Sequence, residues 1–181
     1  LDVERVLADI IPYNTQVSDE VLDADLATEA KKRKLKVLMA DDSPTAVRQV
    51  QATLQNLGIE VVYVQDGLQA LKQLQLWGRE GRSIDEEIFM LITDAEMPEM
   101  DGYGVLNTLN KNIATTSIPF IFLTAKAEKS DFRKGLSMGA DDYITKPFTE
   151  DELLHAVKMR LQKVENFKNI ISQGTDSTNN L

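Results

Sequence analysis

Acidic, hydroxyl and ammonium side chains stand directly after four short apolar runs of this chain. In order along the sequence, these residues are Asp41 and Asp42, Asp94, Thr124, and Lys146. Apolar runs of this length are typical of buried parallel strands, and residues just past such strands gather at one edge of the sheet. Three carboxylates at that edge repel one another unless a cation joins them, and one lysine supplies too little charge. The pattern therefore predicts a divalent metal site, and Mg²⁺ is the metal that we expect.

Asp94 is the candidate nucleophile of this site. A carboxylate can take up a phosphoryl group as an acyl phosphate when a cation offsets the charge between the two groups. We predict that Asp42 and Asp94 are direct metal ligands and that Asp41 holds a metal-bound water. A backbone carbonyl near Glu96 completes the predicted protein ligands.

Lys146 and Thr124 are candidates for contacts with the phosphoryl oxygens. The Lys146 ammonium would stabilise charge as it spreads in the transition state, and the Thr124 hydroxyl would donate to another oxygen. We also predict that Ala95 and Ala125, the residues directly after Asp94 and Thr124, are cofactor-binding residues. Each residue alone has an ordinary structural explanation, such as helix capping or strand packing, so the prediction depends on their ordered occurrence at successive strand ends.

The elements that must position these residues alternate between strand and helix. The apolar runs predict strands at 35–40, 60–65, 88–93, 120–124 and 143–145. Helical spacing and capping signals predict helices at 44–57, 67–77, 104–110, 129–138 and 149–166, and residues 78–87 are predicted to be a polar loop. Five such units predict an α/β fold with a doubly wound, five-stranded parallel sheet of flavodoxin-like order 2-1-3-4-5 and helices on both faces.

Composition narrows the partners and the compartment. The 181 residues carry a net charge of −9, which disfavours binding to nucleic acid or to an anionic membrane. No apolar stretch approaches the roughly 18 residues of a membrane span, and no cysteine is present for disulfides or thiolate metal sites. We therefore predict no nucleic-acid partner, no membrane partner and a cytoplasmic location.

Four stretches of the sequence form a specific set of motifs. They are Met-Ala-Asp-Asp-Ser at 39–43, Thr-Asp-Ala-Glu-Met-Pro-Glu-Met-Asp-Gly at 93–102, Phe-Leu-Thr-Ala at 122–125, and Gly-Ala-Asp-Asp-Tyr-Ile-Thr-Lys-Pro-Phe at 139–148. With these motifs, residues 35–163 resemble the receiver domain of two-component response regulators. The corresponding domain prediction is a linker and the tail of a preceding element over 1–34, a receiver over 35–165, and a helix end with a flexible tail over 166–181.

The resemblance implies a signalling function rather than an enzyme that acts on other molecules. A histidine kinase would phosphorylate Asp94 with Mg²⁺ held by Asp41 and Asp42. Thr124 and Lys146 would contact the phosphoryl group, and Tyr143 would rotate with phosphorylation. The resemblance further implies a cis peptide bond before Pro147. The face that switches would be the fourth helix, the fifth strand and the fifth helix.

The front of the chain has a finer resemblance. Residues 1–103, including Leu-Asp-Ala-Asp-Leu-Ala-Thr-Glu-Ala at 22–30, are similar to the linker and receiver start of the V-type chemotaxis coupling proteins. Those proteins join a CheW-like domain to a receiver, so residues 1–11 would be the last helix of a CheW-like coupling domain upstream. Residues 118–148 are more similar to a stand-alone or hybrid-kinase receiver. A divergent V-type protein and a junction of two receivers between residues 102 and 118 both stay open.

Two other functions stay open as alternatives. A phosphatase of the haloacid dehalogenase kind also uses an aspartate nucleophile, but it needs a second aspartate two residues later, where this chain has Glu96. A receiver-fold interaction module could keep the fold without switching.

Glu96 and Lys126 stand two residues after Asp94 and Thr124 respectively. We hypothesise that these two opposite charges pair across the mouth of the site and slow the hydrolysis of phosphorylated Asp94.

Overall fold

One parallel sheet of five strands organises the fold, in a computed structural model that describes residues 27–28 and 30–161. The strands lie in the order β2-β1-β3-β4-β5, which confirms the predicted fold class and strand order. All four neighbouring strand pairs are parallel. The strands are β1 Lys36–Ala40, β2 Glu60–Val64, β3 Met90–Thr93, β4 Phe120–Thr124 and β5 Asp142–Thr145.

Five longer helices connect or follow the strands. They are α1 Pro44–Gln55, α2 Gly67–Arg79, α3 Gly102–Asn110, α4 Lys129–Ser137 and α5 over 150–161. Side-chain caps start four of them: Ser43 accepts from the Ala46 amide, and Asp66, Asp101 and Thr149 cap α2, α3 and α5 in the same way. Such caps satisfy amide groups that have no partner within the helix, so these helices start where the sequence places a Ser, Thr or Asp.

The sheet is covered on both faces, as predicted. Alternate residues of each strand point to opposite faces, so Val37 and Met39 belong to one apolar cluster while Leu38 and Ala40 belong to the other. The first cluster is completed by α1 and α5, and the second by α2 and α3. The predicted α/β layering is therefore confirmed.

The predicted polar loop at 78–87 was wrong in part. The α2 helix continues to Arg79, and Ile84–Glu87 forms one helical turn. Three acidic residues in the first turn favour a helix start because they complement the partial positive charge of its free amides. Ile84 packs against the apolar cluster of α2 and α3, and this contact attaches the turn to the core.

A helical segment also precedes β1. Residues 27–28 and 30–33 are helical, and Ala30 is completely buried in the cluster of α1 and α5. The Leu35 amide donates to the Ala30 carbonyl at 3.1 Å, and Lys31 lies against Gly58, which has a positive φ of 73°. The predicted boundary between residues 34 and 35 stays a prediction, and residues 1–26 and 162–181 lie outside the described residues.

Candidate functional site

The carboxyl ends of β1 and β3 place the predicted acidic residues side by side. Asp41 follows β1 and is completely buried, and its Oδ1 accepts from the Ser43 amide at 2.8 Å. Asp94 follows β3, is 8% exposed, and its Oδ1 accepts from the Glu96 amide at 3.1 Å. Local backbone turns therefore fix one oxygen of each carboxylate and leave the second oxygen of each for other contacts.

Asp41, Asp42 and Asp94 form an acidic cluster at this edge of the sheet. Each offers a carboxylate oxygen, and these oxygens lie within 4.8 Å of one another. Asp42 is exposed, so the cluster opens to solvent on one side. Three carboxylate donors with one open side suit Mg²⁺, which binds through a few carboxylates and keeps several waters.

Lys146 joins the cluster from the end of β5. Its Nζ donates to Asp41 Oδ2 at 2.7 Å and to Asp94 Oδ2 at 3.0 Å. The peptide bond between Lys146 and Pro147 is cis, as the resemblance implied. One ammonium thus bridges the two buried carboxylates, although the two aspartates are 53 residues apart in the sequence.

Burial and charge shift the ionisation of these groups. Burial raises the pKa of Asp41 against the opposing effect of its hydrogen bonds to Lys146 and Ser43. Burial alone would lower the pKa of Lys146, but the hydrogen bonds to Asp41 and Asp94 outweigh it, so the pKa is raised. Lys146 is consequently held as a cation, whereas the fold disfavours the ionised form of the Asp41 carboxylate relative to water.

Thr124 lies at the end of β4 and is 1% exposed. Its Oγ1 accepts from the Lys126 amide at 3.3 Å, and its carbonyl accepts from the Lys146 amide at 2.8 Å. A backbone hydrogen bond therefore links the end of β4, which carries Thr124, directly to the end of β5, which carries Lys146.

Glu96 and Lys126 pair as hypothesised, with Lys126 Nζ 3.2 Å from Glu96 Oε1. The Glu96 side chain is 69% exposed, so the pair lies at the surface of the site. The Glu96 carboxylate is not part of the acidic cluster, and the role predicted for a carbonyl near Glu96 stays a prediction. Ala95 is buried against α2 and α3, whereas Ala125 is exposed, and their assignment to cofactor binding also stays a prediction.

Tyr143 lies inside the fold, with 5% of its surface exposed. Its hydroxyl donates to the Lys126 carbonyl at 2.8 Å, and its ring lies 5.5 Å from the rings of both Phe122 and Phe132. Burial, with a contribution from nearby Tyr103, raises the pKa of the Tyr143 hydroxyl. The hydroxyl therefore stays protonated and holds the loop between β4 and α4.

Residues 37–158 match the family model of the response regulator receiver domain, which is well over half of the chain. The chain belongs to the response regulator receiver family. The chain is thus a signal-transduction module with a phosphoacceptor role. The family match supports this role and gives no support to the phosphatase alternative. Within the described residues, no helix is long and apolar enough to cross a membrane.

Named relatives of this receiver differ in length. A probable transcriptional regulator, ycf27 of Cyanophora paradoxa, is 38% identical over 133 residues, which are 74% of this chain and 51% of that protein. PilG of Pseudomonas aeruginosa is 35% identical over 130 residues, which are 72% of this chain and 90% of PilG. The receiver therefore spans about half the length of the transcriptional regulators that it matches and most of PilG.

A solved structure that contains a metal ion resembles the receiver. The receiver domain of a sensor histidine kinase from Pseudomonas aeruginosa, with magnesium coordinated in its active-site cleft, is 28% identical at a TM-score of 0.58. The match covers 70% of this chain and 95% of that domain. The acidic cluster of this chain offers donors of the kind that magnesium prefers.

Sequence reasoning missed Tyr103, which contacts α4 close to the site. It follows Gly102 of the motif and is only 6% exposed. An aromatic residue next to a motif glycine gave a weak signal, because its partners on α4 are distant in the sequence.

Proposed function

We propose that Asp94 accepts a phosphoryl group from a histidine kinase. The observation that supports this best is the double hydrogen bond of Lys146, which places an ammonium against Asp94 Oδ2, the carboxylate oxygen that does not accept from the Glu96 amide. Attack by an Asp94 oxygen on phosphorus forms the acyl phosphate bond and breaks the bond from phosphorus to the donor nitrogen. No general base is required, because the attacking carboxylate carries no proton.

In this proposal Asp41, Asp42 and Asp94 hold Mg²⁺. The metal supplies positive charge that offsets the repulsion between an aspartate and an incoming phosphoryl group. Asp41 keeps Ser43 and Lys146 as partners on its two oxygens, which fits a residue that holds a metal-bound water better than a direct ligand. Asp42 is the exposed member and has the freest access to a metal.

The phosphoryl group would then bias the position of α4. Thr124 and Lys146 are joined by a backbone hydrogen bond, so a phosphoryl group that draws on both would pull on the ends of β4 and β5 together. Tyr143 follows this movement because its hydroxyl holds the Lys126 carbonyl in the loop after Thr124. The face made by α4, β5 and α5 would thereby shift between two packings.

The finer assignments extend this proposal to partners. The similarity of residues 1–103 to V-type coupling proteins supports a CheW-like coupling domain upstream and a chemotaxis role. We place the protein in the cytoplasm as a switch that acts on no substrate other than itself, with a receiver over 35–165 between the two terminal segments. The acidic net charge of −9 supports the proposed lack of a nucleic-acid or membrane partner.

Intact-mass measurement tests the central step. The chain is incubated with acetyl phosphate and Mg²⁺, and a gain of one phosphoryl group is expected in the parent and in the control Asp85→Asn. Asp94→Asn should show no gain, and chelation of the metal should abolish the gain in the parent. A parent that gains no mass with Mg²⁺ would support the alternative of an interaction module that does not switch.

A further inference from the structure

Gly102 and Tyr103, at the start of α3, together connect the segment that carries Asp94 to α4. On the site side, the preceding Gly102 lies so close to the Asp94 backbone that a Cβ there would be 2.3 Å from the Asp94 carbonyl oxygen. The Gly102 amide also donates to the Ala95 carbonyl at 3.2 Å. The start of α3 is therefore fixed directly against the segment that carries Asp94.

On the other side, Tyr103 contacts α4 with both its hydroxyl and its ring. The hydroxyl donates to the Asp131 carbonyl at 3.4 Å, and the Lys134 ammonium lies 4.2 Å from the centre of the ring. A cation over an aromatic face is attracted to it, and the hydroxyl contact is a weak hydrogen bond. Both contacts hold the first two turns of α4 against α3.

Tyr103 and Tyr143 pack against the same phenylalanine ring and contact the same segment. The Phe122 ring lies 4.9 Å from Tyr103 and 5.5 Å from Tyr143. The two hydroxyls donate to carbonyls five residues apart, those of Lys126 and Asp131. Lys126 Nζ is also 3.9 Å from Asp131 Oδ1. The beginning of α4 is thus held at two points by two buried tyrosines.

We propose that Tyr103 is a positioning residue that stabilises the arrangement in which Tyr143 is buried and α4 lies against α3. The proposal rests on the phosphoacceptor function of Asp94 and concerns the equilibrium that phosphorylation shifts. A switch responds to phosphorylation only when its two arrangements are close in free energy. If the Tyr103 contacts raise the population of the binding-competent arrangement several-fold, they therefore raise the apparent affinity for a phosphoryl analogue by a similar factor.

Beryllofluoride, an analogue of the phosphoryl group on a carboxylate, is the probe of choice. Its affinity is measured calorimetrically at saturating Mg²⁺ for the parent and for Tyr103→Leu, Tyr103→Phe and Lys134→Gln. We expect binding to weaken about five- to tenfold in Tyr103→Leu, which loses both contacts, and about two- to threefold in each of the other variants. Tyr63→Phe on β2 and Lys129→Gln on α4 are matched controls and should bind as the parent does.

Two further readouts separate positioning from loss of fold. The affinity for Mg²⁺ alone should be unchanged in every Tyr103 variant, because the acidic cluster consists of Asp41, Asp42 and Asp94, which follow β1 and β3. With 3-fluorotyrosine incorporated, the ¹⁹F resonance of Tyr143 should move in Tyr103→Phe towards a more exposed environment and return towards the parent position when beryllofluoride is added.

The outcomes are distinct. A parent that binds Mg²⁺ but no beryllofluoride would overturn both the phosphoacceptor proposal and this one. Equal beryllofluoride affinity in the parent and all Tyr103 variants, with an unmoved Tyr143 resonance, would overturn this proposal alone. Parallel losses of Mg²⁺ and beryllofluoride affinity would also overturn it, because they would show a general structural defect.

Discussion

Replacement of Asp41 by Asn should separate the stability of the metal-free fold from the stability that Mg²⁺ adds. Asp41 is completely buried and lies within 4.8 Å of the other carboxylates of the acidic cluster. Two unit charges at 4.8 Å interact with about 3.5 kcal/mol at an effective dielectric constant of 20. Asn removes this repulsion from Asp94, but it also removes the hydrogen bond and the attraction to Lys146, whose ammonium is closer at 2.7 Å, so the charge interactions alone favour Asp41.

In the metal-free protein, the cost of burying the Asp41 charge decides whether Asn raises or lowers the free energy of unfolding. Burial raises the pKa of Asp41, so the folded state disfavours the ionised carboxylate relative to water. Stability from this group is therefore fully present below the ordinary pKa of 3.8 and declines as the pH rises through the raised folded value. At pH 7 we expect Asp41→Asn in a chelator to be as stable as the parent or slightly more stable, within about 1 kcal/mol.

Mg²⁺ should reveal the large effect. Above its dissociation constant, each tenfold increase in metal concentration adds about 1.4 kcal/mol to the free energy of unfolding of a protein with one site. Loss of a residue that orients a metal ligand costs about 10- to 100-fold in metal affinity. At a fixed Mg²⁺ concentration, Asp41→Asn should therefore lose about 1.4 to 2.7 kcal/mol of the metal-dependent stabilisation.

Urea denaturation followed by the fluorescence of Trp77 measures both parts. Trp77 is the only tryptophan of the chain and is 6% exposed, so it reports the loss of the core. Glu86→Gln, which changes the charge equally at an exposed position away from the cluster, is the control and should follow the parent at every Mg²⁺ concentration. The reasoning is refuted if Asp41→Asn keeps the parent's dependence on Mg²⁺, or if it is several kcal/mol less stable in chelator.

Three further predictions concern hydrolysis, packing and pH. Combined Glu96→Ala and Lys126→Ala changes should shorten the half-life of the phosphorylated chain, measured by intact mass after the donor is removed, because an unpaired mouth admits water; an unchanged half-life contradicts this. Gly102→Ala should lower the free energy of unfolding, measured by urea denaturation, by about 1 to 3 kcal/mol, because its Cβ would be 2.3 Å from a carbonyl oxygen. Gly78→Ala is the matched control: the nearest atom to its Cβ would be at 4.0 Å, and alanine should raise the free energy of unfolding by about 0.5 to 1 kcal/mol. Because the pKa of Lys146 is raised, its contribution to stability should persist below its ordinary value of 10.5 and disappear as the pH rises through the folded value, so Lys146→Met should flatten the alkaline limb of the stability profile.

The convergence of the site residues could be predicted because each one directly follows an apolar strand. In a parallel sheet, this position alone fixes the edge at which a side chain lies, so no knowledge of helix packing was needed. The structure accordingly places Asp41 and Asp94 within hydrogen-bonding distance of the Lys146 ammonium. The pairing of Glu96 with Lys126 was predictable for the same reason, since both are two residues beyond such an end.

Contacts between helices could not be predicted from the sequence. Tyr103 contacts Asp131 and Lys134 across two helices, and no local pattern of spacing reports which faces of two helices meet. The helical turn at 84–87 was missed because four residues are too few for a periodic signal. Likewise, the complete burial of Ala30 follows from tertiary packing, since its neighbours in the sequence are mostly charged.

The burial of Ala30 fixes where the chain enters the domain. It belongs to the cluster that includes Leu57, Ile59 and Leu161, near the amino-terminal ends of the strands, whereas phosphoryl chemistry takes place beyond their carboxyl-terminal ends. Five residues of β1 separate these two edges, which amounts to about 17 Å. Any segment joined to the domain through this helix therefore enters at the edge of the sheet opposite Asp94, so an effect of phosphorylation on that segment would have to cross the length of the strands.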